Sequence, residues 1–545
     1  MRTLLLFSIL CLSTVFVRAD APPPPPASVE QWSIFELALD GPTDGNPFLD
    51  VRFSASFTDG THTRQVDGFY DGGGVYRVRF MPEHQGTWRY VTSSNRWPLT
   101  NQSGTFTATP PGRGNHGPVG VRNTYHFGYA DGTPFRQIGT TSYTWTHRPE
   151  ALEEQTLKTL AMSPFNKLRM CVFPQAHGSK NMPPPRWPFE GKPRAFDYTR
   201  FNPDFFQHLE KRVGQLRDLG IECDLILFHP YDDKEEWGLE IMDAATDDRY
   251  LRYIVARLAA YRNIWWSMAN EYDFMRVKTD ADWDRYFHIV QAADPYGHLR
   301  SIHNGYRMYN NNHPWVTHAS IQNGSALNDA GRAELYRDVW RKPVVYDEVK
   351  YEGDSPFRWG DLSAQEMVHR FWAGTVAGTY VGHSEFFGEP NDVVWLGQGG
   401  VLKGESPSRL AFLRRIMEEG PADGIDPIDQ WFDPYARRNT PIGDGLAEPH
   451  TGGQPAQYYL VYFGRSAPKE WVPEIYKNQL EDGMRFRAEV IDTWEMTVKP
   501  FAQTIVLKRN KTSRDRWDYY FTDANGARIP LPGKPYMAIR LIRVP

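Results

Sequence analysis

A chain of 545 residues with 40% hydrophobic and 14% aromatic content is globular and long enough for two or three domains. Its net charge of -5, without a basic block, offers no footing for nucleic acid or an acidic membrane surface as partner. Beyond the N-terminal leader no stretch approaches the roughly 18 apolar residues of a membrane span.

Residues 1–19 read as a secretory signal, with Arg2, the apolar run Leu4–Val17 and Val17-Arg18-Ala19 at the cleavage position, so the expected location is secreted or periplasmic. Cys11 lies within this leader, preceded by Leu10 where a lipoprotein signal calls for a small residue. Residues 20–28 form a spacer stiffened by Pro22–Pro26. Cys171 and Cys223, the remaining cysteines, fall in expected neighbouring strands, where free buried thiols are the ordinary state.

Residues 29–115 alternate short β-prone runs (Phe48–Phe57, Arg64–Tyr70, Val75–Met81, Gly86–Ser93, Gly104–Ala108) with turn residues such as Asp59-Gly60 and Asp71-Gly72-Gly73-Gly74. That spacing predicts an antiparallel β-sandwich. No catalytic cluster stands out in it. Trp88 or Trp97 could make it a carbohydrate-binding module, although a structural domain packed on its neighbour is the preferred reading.

Residues 116–420 alternate helix and strand. Eight strands are expected: Phe135–Gly139 with the tip Thr140–Trp145, Lys167–Phe173, Glu222–Phe228, Trp265–Ala269, Leu299–Asn304, Trp315–Ser320, Pro343–Glu348 and Thr379–Glu385. The helices between them span Pro149–Ala161, Asp204–Leu219, Asp247–Ala260, Asp282–Ala293, Ala326–Trp340 and Ala364–Ala377, with Ser408–Glu418 last. The fold class is therefore α/β, a (β/α)8 barrel, and its strand tips must converge at one mouth. Residues 421–545 return to β-prone runs and predict a second antiparallel β-sandwich.

The most informative stretch is Trp265-Trp266-Ser267-Met268-Ala269-Asn270-Glu271-Tyr272-Asp273, an apolar strand that ends abruptly in an amide and a carboxylate. Glu271 at the tip of strand four and Glu348 at the tip of strand seven face each other across the mouth. Glycosidic cleavage requires such a pair, one carboxyl protonated to serve the leaving oxygen and one ionised; a gap of about 5 Å gives retention.

With Asn-Glu on strand four and Glu on strand seven, the chain resembles the clan of retaining glycoside hydrolases built on (β/α)8 barrels. The Trp-Trp-Ser-Met-Ala-Asn-Glu-Tyr-Asp run is similar to its apiosidase-like branch, in which one small β domain precedes the barrel and another follows it. The resemblance implies that Glu271 is the acid/base, Glu348 the nucleophile and Asn270 a donor to the sugar 2-hydroxyl. The strand-seven motif Tyr-Asp-Glu-Val-Lys-Tyr-Glu leaves Asp347 and Glu352 as competitors, and strand eight adds Glu385. Glu348 is preferred because Asp347, next to it on an extended strand, is expected to face the other way.

Other tip residues complete the expected substrate site: His229, His303, His318 and His383, Trp145 as a sugar platform, and Arg169, odd in mid-strand, steering a carboxylate such as the nucleophile. The long segment Pro174–Asn202 is expected to wall the cleft, favouring a pocket that works from a chain end. The combined expectation is a secreted glycosidase acting with retention on a plant or algal polysaccharide or oligosaccharide, with no cofactor and no metal in the chemistry. Two rivals stand beside it. A metal-dependent barrel hydrolase would gather the four histidines and Asp232 in one mouth; a non-catalytic polysaccharide binder would not need both glutamates.

Overall fold

The computed structural model describes residues 25–545 except 177–181, 233–236, 323–329, 389–392, 429–448, 477–478 and 511–519. The expected leader and most of the proline spacer lie outside the described residues.

Eight parallel strands form the central sheet: β1 (Gly139–Thr141), β2 (Lys167–Cys171), β3 (Glu222–Phe228), β4 (Ile264–Ala269), β5 (Arg300–Ser301), β6 (Ala319–Gln322), β7 (Val344–Glu348) and β8 (Tyr380–His383). They pair in the order β5-β4-β3-β2-β1-β8-β7-β6. A lone parallel bridge between His303 and Ser320 brings the two ends, β5 and β6, together and nearly closes the barrel. Most of these strands are buried along their whole length, which is why they read as continuous apolar runs.

The helices cover the sheet through apolar stripes. In Asp280–Ala293, Trp283, Tyr286, Phe287 and Val290 recur at helical spacing and are buried, each contributing about 1.5–3 kcal/mol by leaving water. Thr279 and Asp282 close a capping box at its start. A hairpin of Val119–Arg122, His126–Tyr129 and Pro134–Phe135 seals the far end of the barrel, where Phe127 meets Trp265 at 4.9 Å and Tyr380 at 5.1 Å between ring centroids. Pro134–Phe135 therefore belongs to this hairpin, and β1 begins later than the expected Phe135.

Strand six also departs from expectation. The β-prone run Trp315–Ser320 predicts a strand, yet β6 is Ala319–Gln322, with Ala319 opposite Val344. Trp315 is used elsewhere, stacked 4.2 Å from His313 and donating to the Tyr309 hydroxyl.

Before the barrel, two antiparallel-rich sheets share a core of Phe35, Phe57, Phe80, Trp88 and Phe106. Trp88 is core, whereas Trp97 is 83% exposed. Arg257 joins this unit to the barrel through Asp71 at 2.7 Å, and the Tyr296 hydroxyl accepts from the Met81 amide at 2.7 Å. After the barrel, an antiparallel sheet centred on Tyr458–Tyr462, Arg485–Asp492 and Met537–Val544 packs its Tyr462 against Trp372. Cys171 and Cys223 are buried free thiols.

Candidate active site

The chain leaves β4 through Asn270, whose amide donates to the Phe228 carbonyl at 3.0 Å. Glu271 then takes φ 42° and ψ 50°, the left-handed region that a non-glycine residue enters at a cost of about 1–3 kcal/mol. Neighbours impose it: the Tyr272 amide donates to the His303 carbonyl at 3.0 Å and the Phe274 amide to the Glu271 carbonyl at 2.9 Å. Strain of this kind is retained where surrounding structure over-determines it, as at functional sites.

Glu348 ends β7. Its Oε1 accepts from the Tyr143 hydroxyl and from Asn270 Nδ2 at 3.3 Å, with His303 Nε2 at 3.5 Å and Arg169 Nη1 at 3.8 Å. Glu271 Oε2 accepts from the Tyr231 hydroxyl at 2.6 Å, and Tyr231 in turn accepts from Asn270 Nδ2. One hydroxyl and one amide thus bridge the two glutamates. Burial, and then the charge of Glu348, push the Glu271 carboxyl up to about 7, against hydrogen bonds from Tyr231 and Gln322 that pull it down. Arg169, fully buried, donates to Asn270 Oδ1, which leaves Nδ2 as the amide's face toward Tyr231 and Glu348.

Asp347 does not turn away from this group as strand alternation predicts. The register slips between Ile321 and Gln322 opposite the end of β7, so Asp347 and Glu348 both approach Arg169. Asp347 is instead distinguished by its partners. Its oxygens take Lys167 Nζ at 2.8 Å and the Ser320 hydroxyl at 2.6 Å; burial alone would raise its carboxyl, but Lys167 and Arg169 hold it well below the usual range. Lys167 also meets Asp224 at 2.8 Å, so this buried ion network floors the mouth.

Several expected contact residues lie elsewhere. Trp145 is fully buried in the barrel core on the short 3-10 helix after β1, its indole N–H on Met170 Sδ at 3.3 Å; it is barrel packing, not a platform. His318 precedes β6 and so sits at the end of the barrel away from Glu348, against Trp265 and Phe127. The His383 nitrogens face Thr140 Oγ1 at 3.1 Å and Glu385 Oε1 at 3.7 Å, with the ring stacked on Phe165. Glu385 accepts the amides of Lys403 and Gly404, and burial followed by nearby Glu352 pushes its carboxyl up to about 7. His229 contacts the Phe173 carbonyl at 3.2 Å and stacks on Tyr231, so it supports that tyrosine. Burial pushes His229 down to about 4 and His318 and His383 to about 3, leaving them neutral near pH 7. The four histidines do not share one mouth. Of them only His303 touches the glutamate pair, and Asp232 is occupied by the amides of Trp237 and Leu239.

Sequence reasoning passed over Tyr143, Tyr231, Tyr351 and Gln322. Tyr351 lies close to Glu348, and its hydroxyl is held well above its usual range by burial and then by that charge. The first two stand inside tip runs that were noticed for Trp145 and His229; their signal was the position, obscured by the larger or more reactive neighbour.

A family model described as an apiosidase-like catalytic domain matches residues 121–399. The chain belongs to the apiosidase-like family. Two models of domains of unknown function match residues 28–95 and 448–542, before and after that span. A Bacteroides vulgatus protein, described provisionally as a glycoside hydrolase, is 40% identical over 95% of this chain and 100% of its own, with a TM-score of 0.87. A family 5 glycoside hydrolase from the same organism, 14% identical over 78% of this chain and 94% of its own at TM-score 0.56, shares the fold. No curated protein compared with the sequence matches it. This apiosidase-like chain therefore joins the glycoside hydrolases, with a nearly closed parallel barrel between antiparallel sheets.

Proposed function

We propose that this apiosidase-like protein hydrolyses glycosidic bonds by double displacement with retention. Glu348 attacks the anomeric carbon while Glu271 passes its proton to the departing glycosidic oxygen, leaving a glycosyl-enzyme ester on Glu348. Glu271, now a carboxylate, takes a proton from water, whose oxygen attacks the same carbon and releases Glu348. The observation that carries this reading is the unequal pair: Glu271, raised to about 7, is placed to be a proton donor near neutral pH, while Glu348 accepts from Tyr143 and Asn270 beside it. Asn270, oriented by Arg169, is assigned to the sugar 2-hydroxyl, and His303 to a second hydroxyl near Glu348.

Chain-end cleavage of a plant or algal glycan by a secreted or periplasmic enzyme is the favoured use of the site. What supports it is the segment before helix Pro203–Asp218, which outside residues 177–181 is described and folds as a hairpin, Phe189–Lys192 with Ala195–Phe201, while Trp187 packs on Trp237 of the loop after β3. The two flanking units are read as β-sandwiches that brace the barrel, bounded near residues 29–115 and 421–545. Incubation with plant and algal glycans, with Glu348→Gln as the blank, tests the reading. Release of sugars by the native enzyme alone supports it; no release from any of them, or equal release by both proteins, contradicts it.

A further inference from the structure

Behind the mouth lies a second buried cluster that the proposed reaction does not use. Glu352 and Glu385 stand directly opposite each other where Glu352–Gly353 pairs in parallel with Glu385–Phe386. Two like charges placed so are mutually destabilising. His383 points its Nε2 at Glu385 Oε1 across 3.7 Å, and this nitrogen is buried without a hydrogen-bond partner. One donor atom from each of the three residues falls within 4.8 Å of the others.

The geometry points to a binding site for one zinc-class divalent cation formed by Glu352, His383 and Glu385. One imidazole with two carboxylates matches the donor set of zinc, whereas calcium and magnesium favour oxygen alone. Bonds of about 2.0–2.2 Å place tetrahedral ligands roughly 3.3 Å apart, so small side-chain rotations draw the three donors together. Outer partners that orient the ligands are already in place. His383 Nδ1 lies 3.1 Å from Thr140 Oγ1, which itself accepts from the Trp395 indole at 2.9 Å. The Glu385 oxygens accept from the amides of Lys403 and Gly404 at 2.8 and 3.0 Å, and those of Glu352 from Glu405 and Ser406 at 2.8 and 3.2 Å. Glu352 Oε2 takes the Ser406 hydroxyl as well as its amide, so the oxygens that keep a lone pair for the ion are Glu352 Oε1 and those of Glu385. Capping of helix Ser406–Glu418 accounts for the Glu405 and Ser406 amides, but not for the orphaned imidazole nitrogen aimed at Glu385.

The ion is structural. It ties the loop after β7, the tip of β8 and the start of the last barrel helix, and Glu352 adjoins Tyr351, which touches Glu348. The site stands independently of the proposed reaction. Full-length protein made without a histidine tag is stripped with chelator, and zinc content after equilibration is measured by plasma mass spectrometry. Tm is followed in EDTA, zinc chloride and calcium chloride. One zinc per chain, with a rise of several degrees in Tm in zinc alone, is expected, and His383→Gln and Glu385→Gln should lose both. Anomalous scattering at the zinc edge, from crystals of unaltered protein, should peak between the three residues. This arm decides the matter even where a variant fails to fold. Sub-stoichiometric zinc with equal Tm in EDTA and zinc, a response to calcium alone, or undiminished zinc in His383→Gln overturns the proposal.

Discussion

Tyr231→Phe removes one oxygen from the bridge between the two glutamates. The hydroxyl donates to Glu271 Oε2 at 2.6 Å, a bond made to the ionised carboxylate, so the tyrosine pulls the Glu271 carboxyl down from where burial would leave it. A hydrogen bond to a charged group is worth about 1.5–3 kcal/mol, and one pKa unit corresponds to about 1.4 kcal/mol, so the variant should raise this carboxyl by about 1–2 units above its value of about 7. Asn270 loses one acceptor but keeps Glu348. Because the first step needs Glu271 protonated, the alkaline limb of kcat/KM reports this group and should move upward by that amount. The assay is a pH–rate profile of native and variant enzyme on one substrate. A limb that stays in place, or shifts toward acid, would refute both the acid assignment and the direction of the Tyr231 effect.

Glu348→Gln should lower turnover by about 10⁴-fold or more, since an amide cannot form the glycosyl ester; steady-state rates on any competent substrate check it. Glu271→Ala should cost natural linkages far more than aryl glycosides whose leaving groups need no proton, and equal losses on both would move the acid role elsewhere. Glu271 is held well above its ordinary value of 4.5, so native stability is fully present below about 4.5 and falls as pH rises toward about 7; relative to the native protein, Glu271→Gln should gain about 1–3 kcal/mol across that window in urea unfolding. Lys167→Met leaves Asp224 and Asp347 buried without their shared cation and should destabilise the fold by about 3–5 kcal/mol, read from the same unfolding curves.

Most of the barrel was legible because burial on both faces forces apolar composition. The strand Glu222–Phe228 has the limits that its run of residues predicts, and the run before Asn270-Glu271 announces both a strand and its chemical tip. Strand six was misread because Trp315 and Val316 are β-prone, while packing against Tyr309 and His313 takes them out of the sheet; His318 moved to the wrong end with them. Side-chain direction was the harder matter. Whether His383 faces the mouth or Thr140, and whether Asp347 joins Glu348, depends on pleat and on a slip in register that composition does not encode. The tyrosines escaped notice for a related reason: a phenol gains its role only from the carboxylate that folding brings to it, and Tyr143 meets Glu348 across 205 positions of sequence.

The central claim is that Glu271 and Glu348 act on opposite sides of one anomeric carbon through a covalent intermediate. The most direct measurement follows the anomeric proton of the first product by NMR, before mutarotation, on a glycan that the enzyme cleaves. The account predicts a product with the anomeric configuration of the substrate. An initial product of inverted configuration would contradict it.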